Sequence, residues 1–104
     1  MEYPATSATV ETLPNGLTLI LDPDPAAPVV SAQIWVETGS IHEDRLLGCG
    51  VSHFLEHMVF KGTARRSARD LSFEIENAGG QINACTSEDQ TVYEGRGEAD
   101  LLPV

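Results

Sequence analysis

Basic residues are scarce in this chain of 104 residues. Six Lys and Arg stand against sixteen Asp and Glu, giving a formal net charge of -10 and a pI of about 4.4. Such a surface repels polyanions, which excludes nucleic acid and anionic membranes as main partners. No Lys or Arg precedes Arg45. The basic start of a secretory signal and the arginines of a mitochondrial presequence are both missing, so a cytoplasmic location is expected. No apolar run approaches the roughly 20 residues that span a bilayer. The two cysteines, Cys49 and Cys85, form no C-x-x-C pair, and lone buried thiols are the default expectation. Internal repeats, low-complexity stretches and linkers are lacking too. The chain reads as one small domain, with enough residues for one modest core.

What is present alternates in an orderly way. Ala8 to Leu13 and Leu17 to Leu21 read as strands joined by Pro14-Asn15-Gly16, since Asn and Gly accept positive φ at low cost. The proline-rich segment from Asp22 to Pro28 cannot donate regular backbone hydrogen bonds and is a loop. Val29 to Glu37 reads as a longer strand, with Val30, Ala32, Ile34 and Val36 sharing one face. A first helix is expected from Leu46 or Gly48 to Phe60, with Gly62 placed for a left-handed cap. Ser67 and Asp70 are spaced to cap a second helix, which carries Leu71, Ile75 and Ala78 and stops at Gly79-Gly80. Gln81 to Thr86 and Gln90 to Arg96 read as two further strands, and Ala99 to Val104 as the start of a third helix. The resulting class is α+β, with a mixed, mostly antiparallel sheet and helices packed on one face.

The stretch His53-Phe54-Leu55-Glu56-His57 carries chemistry. On a helix, successive residues turn by roughly 100°, so the two histidines stand one turn apart, about 40° round the axis. Glu56 lies about 60° to the other side of His53. Two neutral imidazoles so placed can hold one divalent ion, and a carboxylate beside them can act as a base. The pattern H-x-x-E-H inverts the common H-E-x-x-H zinc-protease helix. The plain alternative is a solvated helix face. Val51, Phe54, Leu55, Met58 and Val59 fill an arc of about 140° on the other side of the wheel. The helix therefore has a complete core face without the histidines. Phe60 points the same way as the motif, as it would if that side looked into a cleft.

Two further clusters read more plainly. Lys61, Arg65, Arg66 and Arg69 follow the motif helix, where cations complement its C-terminal dipole. His42, beside Glu43 and Asp44, is expected to be a solvated loop histidine.

Longer blocks also resemble a known family. Gly39-Ser40, Gly50 through Thr63, Gly79 through Ala84, Thr86-Ser87 and Thr91-Val92-Tyr93 are similar to the M16 (pitrilysin/insulinase) metallopeptidases, including processing-peptidase β subunits. The similarity runs from about Val10 to the end. It implies that residues 1–104 are the N-terminal part of an M16 peptidase-like domain, with His53 and His57 as ligands of one Zn²⁺ and Glu56 as general base in peptide-bond hydrolysis. It implies a substrate-binding strand with Asn83, Ala84 and Cys85, against which a peptide or small protein substrate lies extended. Cys85 stands where an aromatic is more usual, and is expected to be a packing thiol. The third zinc ligand is expected beyond residue 104, and a second M16-like half, in the same chain or as another subunit, is expected to close the cleft. The 104 residues alone are then expected to hold zinc weakly and to be inactive. Two rivals remain: a non-catalytic peptidase-like subunit that binds peptides or a partner, and a lyase of the S-ribosylhomocysteine type, which also uses an H-x-x-E-H helix but needs a ligating cysteine.

Overall fold

The computed structural model describes residues 6–100. The elements follow in the order β1 (Thr9–Thr12), β2 (Thr18–Leu21), β3 (Val29–Val36), α1 (Val51–Val59), α2 (Ala68–Asn77), β4 (Gln81–Thr86) and β5 (Thr91–Glu98). Met1 to Pro4, Ala5 and most of the expected third helix lie outside the described residues; Ala99 and Asp100 form a turn.

β1 and β2 make a hairpin, pairing from Thr9 with Leu21 to Thr12 with Thr18. Its turn closes because Gly16 takes φ 87° and the Asn15 Oδ1 accepts the Leu17 N–H at 3.1 Å. Among the described residues this ribbon pairs with no other strand. The second sheet is wholly antiparallel, in the order β3-β5-β4. β5 runs two residues beyond the expected Arg96, because Gly97 and Glu98 still find partners in Val30 and Val29.

α1 starts at Val51, later than the periodicity predicts. Gly48 and Gly50 hold φ of 83° and 74°, a left-handed backbone that no right-handed helix includes. The chain before them instead makes two short 3-10 turns, Ser40–His42 and Asp44–Leu46. α2 has the predicted capping box: Ser67 Oγ accepts the Asp70 N–H at 3.2 Å, and Asp70 accepts the Ser67 N–H at 3.0 Å. Each of these bonds satisfies a helix-end or entry amide that would otherwise lack a partner.

The core expectation is reversed. No apolar side chain is buried among the described residues. Phe54 and Leu55 of α1 are 67% and 61% exposed, whereas Glu56 is 8% exposed. Both helices contact β4, and α1 does so with its polar side, leaving its apolar stripe uncovered. The accessible surface is 8804 Å², against about 5,700 Å² for a compact folded protein of this mass. The radius of gyration is 16.5 Å, against about 13 Å for a compact domain of this length. The sheet and helices form as local structure, but the surfaces that would close a core face outward. Cys49 and Cys85, expected to be buried, are exposed free thiols for the same reason.

Candidate metal centre

α1 brings His53, Glu56 and His57 together. One ligand-type atom from each lies within 4.8 Å of the others. The two histidine Nε2 atoms are 3.0 Å apart, with ring centroids at 4.6 Å. An ion about 2.05 Å from each of two imidazole nitrogens, at the tetrahedral angle, holds them about 3.3 Å apart. The pair therefore fits two ligands of one ion after a small rotamer adjustment. Both imidazoles are exposed, so an ion could reach them, while Glu56 is buried beneath.

The cleft above this group has a volume of about 470 Å³. Gly50, just ahead of α1, and His53 and Glu56 of α1 supply one wall. Ala84, Cys85 and Thr86 of β4, with Ser87 and Glu88 after it, supply the other. His53 and Glu56 of the motif side face this cleft, while Phe60 lies near Tyr93 of β5, with ring centroids 6.4 Å apart, and is not among the residues lining it.

Among the described residues β4 is an edge strand. The Ser87 N–H donates to the Gln90 carbonyl at 2.8 Å. Alternation back along the ladder then turns the backbone groups of Ile82, Ala84 and Thr86 toward the open edge. Side chains alternate as well, so Ala84 shares the α1 side with Thr86, while Asn83 and Cys85 share the opposite side. Asn83 borders a separate depression with Gln81, Glu94 and Arg96. Of the predicted substrate residues, Ala84 is the one whose side chain shares the α1 side.

Two residues that the sequence reading missed hold the site together. Glu43 Oε1 accepts the Ser52 N–H at 2.8 Å, closing the start of α1 from nine residues upstream. That amide hydrogen bond holds the Glu43 carboxyl below its usual range, as expected for an anion at a helix N-terminus. Its Oε2 is buried and has no hydrogen-bond partner among the described residues. The Thr86 hydroxyl donates to Glu56 Oε2 at 2.5 Å. An acidic residue ahead of the helix, and the two-residue alternation from Ala84, were the available signals. His42, expected in a loop, ends the 3-10 turn Ser40–His42 and is exposed, its Nδ1 accepting the Gly39 N–H at 3.2 Å. Arg66 of the basic cluster pairs with Glu74 at 2.9 Å.

Comparison with known proteins matches residues 18–103 to the family described as Insulinase (Peptidase family M16). A mitochondrial-processing peptidase subunit beta of Blastocladiella emersonii is 45% identical over 93 residues, covering 89% of this chain and 19% of that protein. The uncharacterized zinc protease YmxG of Bacillus subtilis (strain 168) is 44% identical over 82 residues, covering 79% and 20%. Among solved structures, a protease from Helicobacter pylori superposes with a TM-score of 0.82 at 30% identity, covering 91% of this chain and 23% of that one. The chain spans about a fifth of the length of these relatives.

Proposed function

The chain belongs to the insulinase (M16) peptidase family, and on that premise we propose that it is the N-terminal piece of a zinc-dependent endopeptidase. The observation that carries the reading is the His53–Glu56–His57 group, of which His53 and Glu56 line a cleft whose other wall is β4, a strand unpaired on one side among the described residues. In this reading His53 and His57 present neutral Nε2 lone pairs as ligands. Bound there, zinc would supply Lewis acidity, acidifying water and polarising a peptide carbonyl. Glu56 takes the proton of the attacking water and passes it to the departing amine.

The substrate adds to β4 as an extra strand, pairing with the outward backbone groups of Ala84 and its alternate neighbours. Ala84 leaves room beside α1 for a substrate side chain, while Asn83 and Cys85 contribute from the far side of the strand. Two histidines fall short of the three protein ligands usual in catalytic zinc sites. The third, and a second related half that covers the cleft, are proposed to come from outside residues 1–104. That the relatives include proteins named as a "subunit beta" supports a paired arrangement. A cytoplasmic location remains part of the proposal.

The test uses the full-length protein, a reporter peptide and zinc analysis. Glu56→Gln is expected to lower turnover on the order of 10³-fold while zinc content stays unchanged. His53→Ala is expected to lose the zinc. Full turnover in Glu56→Gln would sink the reading.

A further inference from the structure

Glu56 and Thr91 are the two buried polar or charged side chains among the described residues. The hydrogen-bond partner of the Glu56 carboxylate there is Thr86, thirty residues away, whose hydroxyl reaches Oε2 at 2.5 Å. Thr86 ends β4, and the strand end that carries it is braced. The Ser40 N–H donates to the Ser87 carbonyl at 3.2 Å, and the Ile41 N–H to the Glu88 carbonyl at 2.9 Å. The Thr91 hydroxyl, cross-strand from Thr86, donates to the Thr38 carbonyl at 2.9 Å. Gly39 packs so closely that a Cβ there would sit 2.4 Å from the Ser87 carbonyl oxygen. On the other side, Glu43 holds the start of α1. One loop, residues 38–43, thus ties both walls of the cleft and sets how Thr86 meets Glu56.

We infer that Thr86 is a positioning residue for Glu56. A free carboxylate turns about its last bond and offers either oxygen. A hydroxyl donates one hydrogen, and engaging Oε2 leaves Oε1 as the oxygen available for proton transfer. The β-branch of threonine limits its own χ1, so the donor is directed as well as close. The inference rests on the peptidase reading of Glu56; the contact itself does not.

The experiment takes the full-length protein as wild type, Thr86→Val, Thr86→Ser, Glu56→Gln and the double variant Thr86→Val/Glu56→Gln. Thr86→Val is expected to lower kcat about 10- to 100-fold, with KM changed by less than about twofold and zinc content unchanged. Thr86→Ser, which keeps the hydroxyl, is expected to recover most of kcat. On the Glu56→Gln background the valine is expected to cost nothing more. Unchanged kcat in Thr86→Val, a serine variant as poor as valine, or the same loss in both backgrounds would each overturn the inference. Should Thr86→Val fail to fold, Thr86→Ala takes its place. Crystal structures of the metal-free wild type and valine variant give a second reading. The Glu56 carboxylate is expected to meet Thr86 in the first and turn away in the second; the same position in both overturns the inference. If the wild type cleaves no peptide, the peptidase reading fails, and these structures still decide whether Thr86 orients Glu56.

Discussion

The β1–β2 hairpin and the α1–β4 half of the molecule are both held by hydrogen bonds, the first between chain neighbours and the second between residues farther apart. The hairpin rests on its own ladder and turn, with Val10 and Ile20 exposed at 70% and 66%. A lone two-stranded ribbon is marginal in water. The α1–β4 half is joined by polar bonds between distant residues: Glu43 with Ser52, Glu56 with Thr86, and Thr91 with Thr38 across fifty-three positions. Both regions leave apolar surface open, yet the second has a defined geometry. Hydrogen bonds are directional and can set distances between a few atoms. Burial is non-directional and scales with covered area. A few bonds between distant residues can therefore arrange the site even though the apolar side chains of the described residues stay exposed.

Substitutions in the two regions should separate these roles. After Glu56→Gln and Thr86→Val, the largest expected effect is from Gly39→Ala. Its added methyl meets the Ser87 carbonyl oxygen at 2.4 Å and the Glu88 carbonyl at 2.6 Å. Backbone must move, at a cost of about 3 kcal/mol, and turnover should fall because Thr86 moves with the turn. Denaturant unfolding and kinetics of the full-length protein check both; a change within about 0.5 kcal/mol would mean that the brace yields freely. Gly16→Ala in the hairpin is the contrasting case. Among the described residues nothing lies within 4 Å of the new methyl, but φ is +87°. The expected cost is about 1 kcal/mol, with turnover untouched; an equal loss of activity would join the hairpin to the site.

The smallest effect concerns acid. Because the Glu43 carboxyl is held below its ordinary 4.5, it supports the start of α1 above that pH. The support is lost as pH falls below 4.5 through the lowered value. The protection of the first α1 amides against hydrogen exchange, relative to the intrinsic rate at each pH, should fall over that range in wild type, and Glu43→Gln should flatten the response. Matching acid profiles would remove Glu43 from the brace.

Much of the local structure was legible in the residues. Asn15-Gly16 marked a hairpin and Ser67 with Asp70 a helix start, because both depend on neighbours alone. The start of α1 was misplaced because periodicity does not register that Gly48 and Gly50 take left-handed backbone. Cys49 and Cys85 were expected inside because thiols usually pack; here the surfaces around them are open. The partners of Glu43 and Thr86 are not legible in the residues because they are settled by folding, nine and thirty residues away.

The sequence by itself determined that His53, Glu56 and His57 share one side of a helix, since 3.6 residues per turn permits nothing else. It also determined which side of that helix is apolar. Only the tertiary structure decided that the polar side turns inward against β4, that β4 lies at a sheet edge, and that Thr86 meets Glu56. A helical wheel gives directions relative to its own axis. What those directions face depends on contacts between residues far apart in the chain, which no local period encodes.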